Sequence, residues 1–414
     1  MHGVQDGRLH QQLSVALKQR ERKGSLRALK PSSLDHTLLD FSSNDYLDLA
    51  SAAILRTVFT RYLEQQGTLA STGSRLLSGN SHLANTIEEE ARAYWQSPEA
   101  LLCGSGYEAN VSLFSTIPQP GDVVLYDAFI HASVHVGLKT SRAARKVAFR
   151  HNDMAHLRSL LRHEASDLVD CPKTVFIACE TVYSMDGDLC PLVDMLAVIR
   201  STYPSARVIL DEAHATGVFG PLGRGLASHL ELANAPEILV RLHTFGKGAA
   251  GTGAIILCDA LVKSYLLNYA KGLIYSTFLS APALCLMRAS LTALSTGQTL
   301  ARQNQLWQRT RTFHALLSDR LCADSSSTLV VPSTGPQSPI IPILTSRPLQ
   351  LSQFLHARGF RVMPVRYPTV PRDAERIRIC LRAEVSVASL EALVDALADW
   401  QKLGHVDSGA VAKL

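Results

Sequence analysis

The sequence predicts an α/β protein built on a mainly parallel sheet with helices on both faces. Three observations carry that prediction. Short β-rich runs alternate with longer helical stretches along most of the chain. The 414 residues correspond to two or three domains at roughly 150 residues each. The 46% hydrophobic and 19% charged content is that of a protein with large cores, which excludes global disorder.

The elements follow in order. Leu9 to Lys23 carries apolar residues at helical spacing with charges between them, and Gly67 to Gly79 is a Ser/Gly/Leu loop. Ser81 to Trp95 reads as a helix capped by Ser81 with Glu88-Glu-Glu90 on its surface. Strand-like runs come next: Ala100–Cys103, Val123–Tyr126, Thr174–Cys179, Val208–Asp211, Ile238–His243 and Ala254–Cys258. The last two lie too close for a helix between them, so a tight turn there is expected to carry one antiparallel strand. A long helical stretch runs from Pro282 to about Arg320. After Ser325-Ser-Ser327 the rhythm changes to strand Ile340–Leu344, helix Leu349–Arg358, strands Phe360–Pro364 and Arg376–Leu381, and helix Val387–Gln401. This last group predicts a compact α+β unit, and the residues from Val406 to Leu414 read as a flexible tail.

Charge and cysteine use exclude several function classes. The net charge of +5 is spread along the chain, and its densest basic stretch, Lys18 to Lys23, contains Glu21. That pattern reads as a solvated helix face, so no nucleic-acid partner is expected. The eight cysteines form no C-x-x-C and no metal-ligand spacing with the fifteen histidines, so no metal is expected and the thiols read as reduced and buried. No apolar run approaches the roughly 18 residues of a membrane span, and Met1 to Arg8 has no apolar core of a secretory signal.

Two segments match the dinucleotide fingerprint. Gly246-Lys-Gly248-Ala-Ala-Gly251 runs straight into strand Ala254–Cys258, which leaves no room for the helix that the fingerprint needs. Strand Ala100–Cys103 leads into Gly104-Ser-Gly106-Tyr-Glu-Ala109 and then a helix, with Asp127 at the end of the next strand, 21 residues after Gly106. A nicotinamide-dependent dehydrogenase therefore stands as a competing reading. In either case a Gly-rich turn at a helix N-terminus suits a phosphate. Asp211-Glu-Ala-His214 ends a strand and precedes a Gly-rich turn; it spells a helicase box, but no P-loop lies upstream.

The constellation narrows the choice. Lys247 sits on a turn 36 residues after Asp211, with the phosphate-type turn and His131 upstream. Pyridoxal phosphate chemistry needs an amine for a Schiff base, a carboxylate for the ring nitrogen, a flat side chain to stack on the ring and a phosphate cradle.

The chain resembles the α-oxoamine synthases, a branch of the fold-type I pyridoxal phosphate enzymes, from about Phe41 to Trp400. The resemblance rests on motifs in the family's order: Phe41-Ser-Ser-Asn44-Asp-Tyr-Leu47, Gly73-Ser-Arg75-Leu-Leu-Ser78-Gly79, Ser105-Gly106-Tyr107-Glu-Ala-Asn110, Asp127 with His131-Ala-Ser133, Glu180 with Ser184-Met-Asp186-Gly187, Asp211-Glu-Ala-His214, Thr244-Phe-Gly-Lys247-Gly248, Leu273-Ile-Tyr-Ser-Thr277, and Arg366-Tyr-Pro-Thr-Val-Pro371 followed by Arg376-Ile-Arg378. It implies a large, mainly parallel seven-stranded sheet domain and a smaller C-terminal α+β domain. The boundaries expected are an N-terminal arm at 1–50, a large domain at 51–285, a small domain with its linking helix at 286–404 and a tail at 405–414.

The resemblance also implies roles. Lys247 corresponds to the Schiff-base lysine, Asp211 to the acid on the pyridine nitrogen, His214 to the partner of the phenolic oxygen and His131 to the stacking imidazole. Ser105, Gly106, Tyr107 and Thr244 correspond to the cofactor cradle, Glu180 and Ser184 to the ring side of the pocket, and Thr277 to a phosphate contact from the second subunit of a homodimer. Arg378 corresponds to the holder of the amino-acid carboxylate, with Arg366 and Asn44 as further substrate contacts. Arg75 serves either folding or the site. Ser74 stands where glycine-specific relatives tend to carry Thr, which leaves room for an alanine methyl.

The reaction expected is a decarboxylative Claisen condensation of L-alanine with pimeloyl-CoA. A sister enzyme using glycine or serine with another acyl-CoA is the near alternative. An inactive regulatory subunit is the remote one, disfavoured because Lys247, Asp211 and His131 are all present. Departures from the family pattern are Asp48 and Thr181 for Gly, a Pro371–Glu375 segment around Asp373 that lacks Gly, and Glu384-Val-Ser for an Ala-His pair. Ala412-Lys413-Leu414 resembles a peroxisomal address, which implies an import receptor as partner and a peroxisomal location, otherwise the cytoplasm.

Overall fold

The computed structural model describes residues 7–23, 26–27, 38–166, 173–321, 329–331, 335 and 337–403. The chain divides into two units, residues 1–39 and 40–414. In the first, Arg8–Arg22 is a helix without a buried residue. The expected tail with its terminal tripeptide, the Ser325–Ser327 turn, Cys171 and Cys322 lie outside the described residues.

The second unit is organised by a seven-stranded sheet. Its strands are β1 Glu99–Cys103, β2 Val123–Asp127, β3 Arg145–Phe149, β4 Val175–Glu180, β5 Arg207–Asp211, β6 Ile238–Thr244 and β7 Ala254–Cys258. Their order across the sheet is β1-β7-β6-β5-β4-β2-β3. The ladders from β3 through β6 are parallel, and β7 runs antiparallel to both neighbours. The tight β6–β7 connection thus carries the antiparallel strand expected from the sequence. Strand β3 was not among the sequence-predicted runs. Arg145-Lys-Val-Ala-Phe149 opens on two charges and buries only Phe149, as suits an edge strand that must stay soluble.

Burial explains why the other strands read as apolar runs. Along β2, Val123 and Leu125 enter one core layer while Val124 enters the other. Val175, Ile177 and Cys179 of β4 alternate with Phe176 and Ala178 in the same way. Helices Gly106–Thr116 and Ala132–Thr140 supply Leu113, Phe114 and Val134 to one layer. Helices Met154–Ser166 and Leu192–Thr202 supply Leu157, Leu161 and Leu196 to the other.

A third core joins helices Ala53–Glu64, His82–Trp95, Ala281–Ser295 and Leu300–Arg320 to the C-terminal elements. The long helical stretch is therefore two helices, broken at Gly297 where φ is 77°. The C-terminal sheet pairs β8 Ile340–Leu344 and β9 Met363–Val365 antiparallel on either side of β10 Arg376–Cys380. Helix Val387–Leu403 buries Leu390, Leu393, Leu397 and Trp400. Residues 41–48 run along the far end of this group: the Cys380 and Ala383 N–H groups donate to the Phe41 and Tyr46 carbonyls. Among the described residues no helix is long and apolar enough to cross a membrane.

Candidate active site

The parallel strands end on one edge, and the functional side chains sit there. Asp127, Glu180, Asp211 and Thr244 are the last residues of β2, β4, β5 and β6, and register places Glu180 beside Asp211. Ligands of open α/β sheets bind at this carboxyl edge. A cavity of about 290 Å³ lies there, lined by Ser105, Gly106, Tyr107, Asn110, His131, Glu180, Asp211, Ala213, Thr244 and Lys247 among others.

One wall is the start of helix Gly106–Thr116. The Ser105 hydroxyl accepts from the Glu108 N–H at 3.1 Å, and the Glu108 carboxylate reaches back to the Gly104 N–H at 3.1 Å. This capping exchange leaves the first-turn N–H groups of Gly106 and Tyr107 to face a ligand. Gly106 is required by packing, because a Cβ there would lie 2.4 Å from Thr244 Cγ2. Thr244 is buried and its Oγ1 has no hydrogen-bond partner in the chain. An orphaned hydroxyl beside open helix N–H groups fits a phosphate. These residues therefore fit the cofactor that the sequence implies.

The titratable groups line the same cavity. Asp211 is buried; its Oδ1 accepts from the Ala213 N–H at 2.9 Å and its Oδ2 from Asn110 Nδ2 at 2.8 Å. Burial, and then the Asp211 charge, push the Glu180 carboxyl well above the usual range, with Lys247 opposing. Burial pulls the Lys247 amine down, with Asp211 and Glu180 opposing. A lysine amine whose pKa is lowered by burial gives up its proton more readily than a solvated one, as an acid–base group must. Tyr107 stands edge-on to His131, with ring centroids 6.4 Å apart.

A second group of predicted residues meets just beyond. His214 Nδ1 lies 2.7 Å from the Tyr46 hydroxyl, and that hydroxyl lies 3.3 Å from Asn44 Oδ1. Burial drives the His214 pKa well below the ordinary range, assisted by the positive charges of Lys247 and Arg378, so the imidazole is neutral. Arg378 on β10 donates to the Ser184 carbonyl at 2.9 Å and to Asn44 Oδ1 at 3.4 Å, while its Nε has no partner. Arg376, two residues earlier on the strand, is held by Asp186.

Other predicted residues lie elsewhere. Ser74 and Thr277 pair with each other in an isolated antiparallel bridge, with Ser74 buried and Thr277 exposed, and neither lines the cavity. Arg366 begins the turn that follows β9. Arg75 serves the fold: its guanidinium pairs with buried Glu88 and lies over the Phe278 ring. Asn110 and Ser133 were not predicted as site residues, although both stand inside the motifs. The signal was a polar residue on the inward face of an otherwise apolar helix.

Asp127 corrects the dehydrogenase reading. Its carboxylate is fully buried and engaged by His151 and by the Phe129 and Asn152 N–H groups, which leaves it no ribose to hold. Two departures are also explained. Thr181 donates to the Asp211 carbonyl and sits 3.3 Å from buried Glu212. Asp48 joins Glu384, as its carboxylate accepts from the Glu384 N–H at 2.7 Å and pairs with Arg382. Among the described residues no cluster of His, Cys, Asp or Glu is placed to hold a metal ion.

Comparison with known proteins agrees with this geometry. Residues 36–397 match the aminotransferase class I and II family. An 8-amino-7-oxononanoate synthase of Emericella nidulans is 41% identical over 400 residues, covering 95% of this chain and 96% of its own length. An aminoacyl transferase sphA of Byssochlamys spectabilis is 36% identical, covering 89% and 82%. A Sphingomonas wittichii serine palmitoyltransferase shares the fold with a TM-score of 0.81 at 22% identity, covering 97% of this chain and 99% of that one. An 8-amino-7-oxononanoate synthase of Francisella tularensis does so with 0.71 at 24% identity, covering 90% and 100%.

Proposed function

Because the chain belongs to the aminotransferase class I and II family, and within it to the α-oxoamine synthases, we propose that it is a pyridoxal-phosphate-dependent acyltransferase that condenses L-alanine with pimeloyl-CoA, releasing CoA and CO₂ and giving 8-amino-7-oxononanoate. The observation that carries the proposal is the convergence of Lys247, Asp211, Glu180, His131, Thr244 and the Ser105–Tyr107 turn on one cavity.

When bound, pyridoxal phosphate supplies an aldehyde that captures amines and a ring that withdraws electrons from the amino acid's α-carbon. The chain does the rest. The Gly106 and Tyr107 N–H groups and the Thr244 hydroxyl hold the phosphate. Asp211 provides a fixed negative charge for the ring nitrogen, and His131 offers a flat face. Neutral His214, tied to Tyr46, presents a polar contact to the phenolic oxygen. Arg378 and Asn44 hold the amino-acid carboxylate, for which the planar guanidinium fork is suited. The Lys247 amine, its proton affinity lowered by burial, removes and returns the proton at the amino acid's α-carbon. Acid–base groups of this kind contribute roughly 10²–10⁴-fold each.

The test has two parts. Purified protein should show a yellow absorption band that borohydride abolishes, with the added mass on Lys247; Lys247→Ala should lose both the band and turnover. A protein left colourless by added pyridoxal phosphate rejects the cofactor. Product analysis with paired amino acids and acyl-CoAs then tests the substrates. A second reading is glycine or serine with a different acyl-CoA; the similarity to a relative named aminoacyl transferase sphA keeps a second substrate pair in play without naming it. Ser74 lies outside this chain's own cavity, so it would favour alanine only from a second subunit, and one methyl group discriminates by only about 1–3 kcal/mol. Glycine or serine outperforming alanine would move the assignment to that second reading.

We further propose a homodimer in which Thr277 of each subunit reaches the other's phosphate site. A peroxisomal location is proposed from Ala412-Lys413-Leu414; a fluorescent fusion ending in residues 405–414 that stays diffuse in the cytosol rejects it.

A further inference from the structure

We propose that Asn110 is a positioning residue that sets two groups of the cavity at once: through Ser133 it fixes the Nε2–H tautomer of His131, and directly it orients the Asp211 carboxylate. Its role toward the cofactor rests on the function proposed above; its role toward the two side chains does not.

The argument starts from which atoms can donate. Asn110 lies on helix Gly106–Thr116, only 2% exposed, at the cavity wall. Its amide approaches Asp211 Oδ2 at 2.8 Å. A carboxylate oxygen only accepts, so the Asn110 atom there is Nδ2 and the amide cannot be flipped. Its other amide hydrogen points to Ser133 Oγ at 3.1 Å. The hydroxyl accepts from Asn110, which leaves its hydrogen available to His131 Nδ1, 2.7 Å away. The Ser133 N–H also donates to that nitrogen, at 3.2 Å. Two donors aimed at Nδ1 require it to carry the lone pair, which puts the ring hydrogen on Nε2.

The relay thus runs Asp211, Asn110, Ser133, His131, with Asn110 lying 101 residues from Asp211 and Ser133 two residues from His131. The two hydrogens of the Asn110 amide serve two acceptors, Asp211 Oδ2 and Ser133 Oγ. Desolvation lowers the His131 pKa, with Asp211 opposing and Lys247 and His135 assisting, which suits an unprotonated ring nitrogen at Nδ1. The same amide keeps the Asp211 carboxylate from rotating, because Oδ1 is held by the Ala213 N–H and Oδ2 by Asn110. Asn110→Asp preserves the shape and reverses the chemistry. A carboxylate at that position turns the Ser133 hydroxyl toward itself, removes the donor to Nδ1 and repels Asp211.

The experiment uses the full chain with ¹⁵N-labelled histidine, without added cofactor and then saturated with pyridoxal phosphate. In the cofactor-free protein the imidazole spectrum at neutral pH should place the His131 proton on Nε2. N110D should move it to Nδ1 or raise the pH at which the ring titrates. A wild-type Nδ1–H tautomer, or an N110D spectrum identical to wild type, overturns the proposal. Thermal melting checks that N110D is folded; if it is not, N110A is used, and a drop in the Nε2–H share is the expected result. On loading, either variant should bind pyridoxal phosphate more weakly than wild type, because the stacking ring and the Asp211 carboxylate both lose a partner that orients them. If wild type shows the tautomer but binds no pyridoxal phosphate, the proposed function fails and the positioning of His131 stands.

Discussion

Asp48 holds a backbone conformation at φ 51° that favours glycine, and its side chain explains why a non-glycine residue is found there. The carboxylate is buried, pairs with Arg382 and accepts the Glu384 N–H. Arg302 closes the group by donating to the Leu47 and Asp48 carbonyls and pairing with Glu384 at 2.6 Å. Two departures from the family pattern, Asp48 and Glu384, thus belong to one contact that holds the Asn44–Leu47 segment against the Arg378 strand. Asp48→Ala should destabilise by about 2–3 kcal/mol, since it leaves the Glu384 N–H unpaired, leaves Arg382 with the Asp40 carbonyl in place of a carboxylate, and keeps the strained φ. Asp48→Gly should cost about 1 kcal/mol less, because glycine takes the conformation freely. Chemical denaturation of the two variants measures the difference; equal losses would mean that the backbone carries no strain. At this scale Asp211 could be read from the sequence as an acid at a strand end, and Lys247 and His131 from the constellation and the motifs that carry the resemblance. Asn110 and Ser133 leave only a faint mark, a polar residue on an inward helix face, because the Asp211 partner of Asn110 is 101 residues away.

Element boundaries followed from burial. Strands β2 and β4 to β7 are buried on both faces and were visible as apolar runs, whereas β3 lies at the edge and resembles a charged loop. The ends of β2 and β3 are held together by a feature no pattern announced. His151, two residues beyond β3, lies between Asp127 at 2.8 Å and Asp188 at 2.7 Å and stacks on Phe129. Burial opposes charge on the ring, but the bonds to Asp127 and Asp188 outweigh it and raise the pKa to about 10. An unfolded histidine titrates near 6.5. A folded pKa above the unfolded one gives stability that is complete below about pH 6.5 and is lost as pH rises through about 10. Melting temperature should therefore decline across that window. His151→Gln should melt lower at pH 6 and show a flatter profile toward pH 10. A variant with the same slope as wild type would show that another group drives the decline.

At the scale of the whole molecule, the homodimer proposed above would complete the site. Thr277 is exposed, bridged to Ser74 through the backbone, and absent from the cavity wall, although the resemblance implies a phosphate contact for it. Nearby apolar side chains are uncovered: Leu76, Leu77 and Tyr275 are 45%, 86% and 79% exposed. A second copy covering this surface would bury them and bring its Thr277 to the other chain's cavity. That arrangement follows from a two-fold axis, since each contact is then made twice. It predicts complementation. In a hybrid of Lys247→Ala and Thr277→Ala subunits, one site combines both lesions and the other combines neither. Co-expression of the two chains with separable tags gives half hybrids, so activity should recover to about a quarter of wild type if subunits pair at random. The purified hybrid should carry one reducible chromophore per dimer, on the Thr277→Ala chain. If every site draws Lys247 and Thr277 from the same chain, the mixture stays at the level of its Thr277→Ala component, and the shared-site arrangement is rejected.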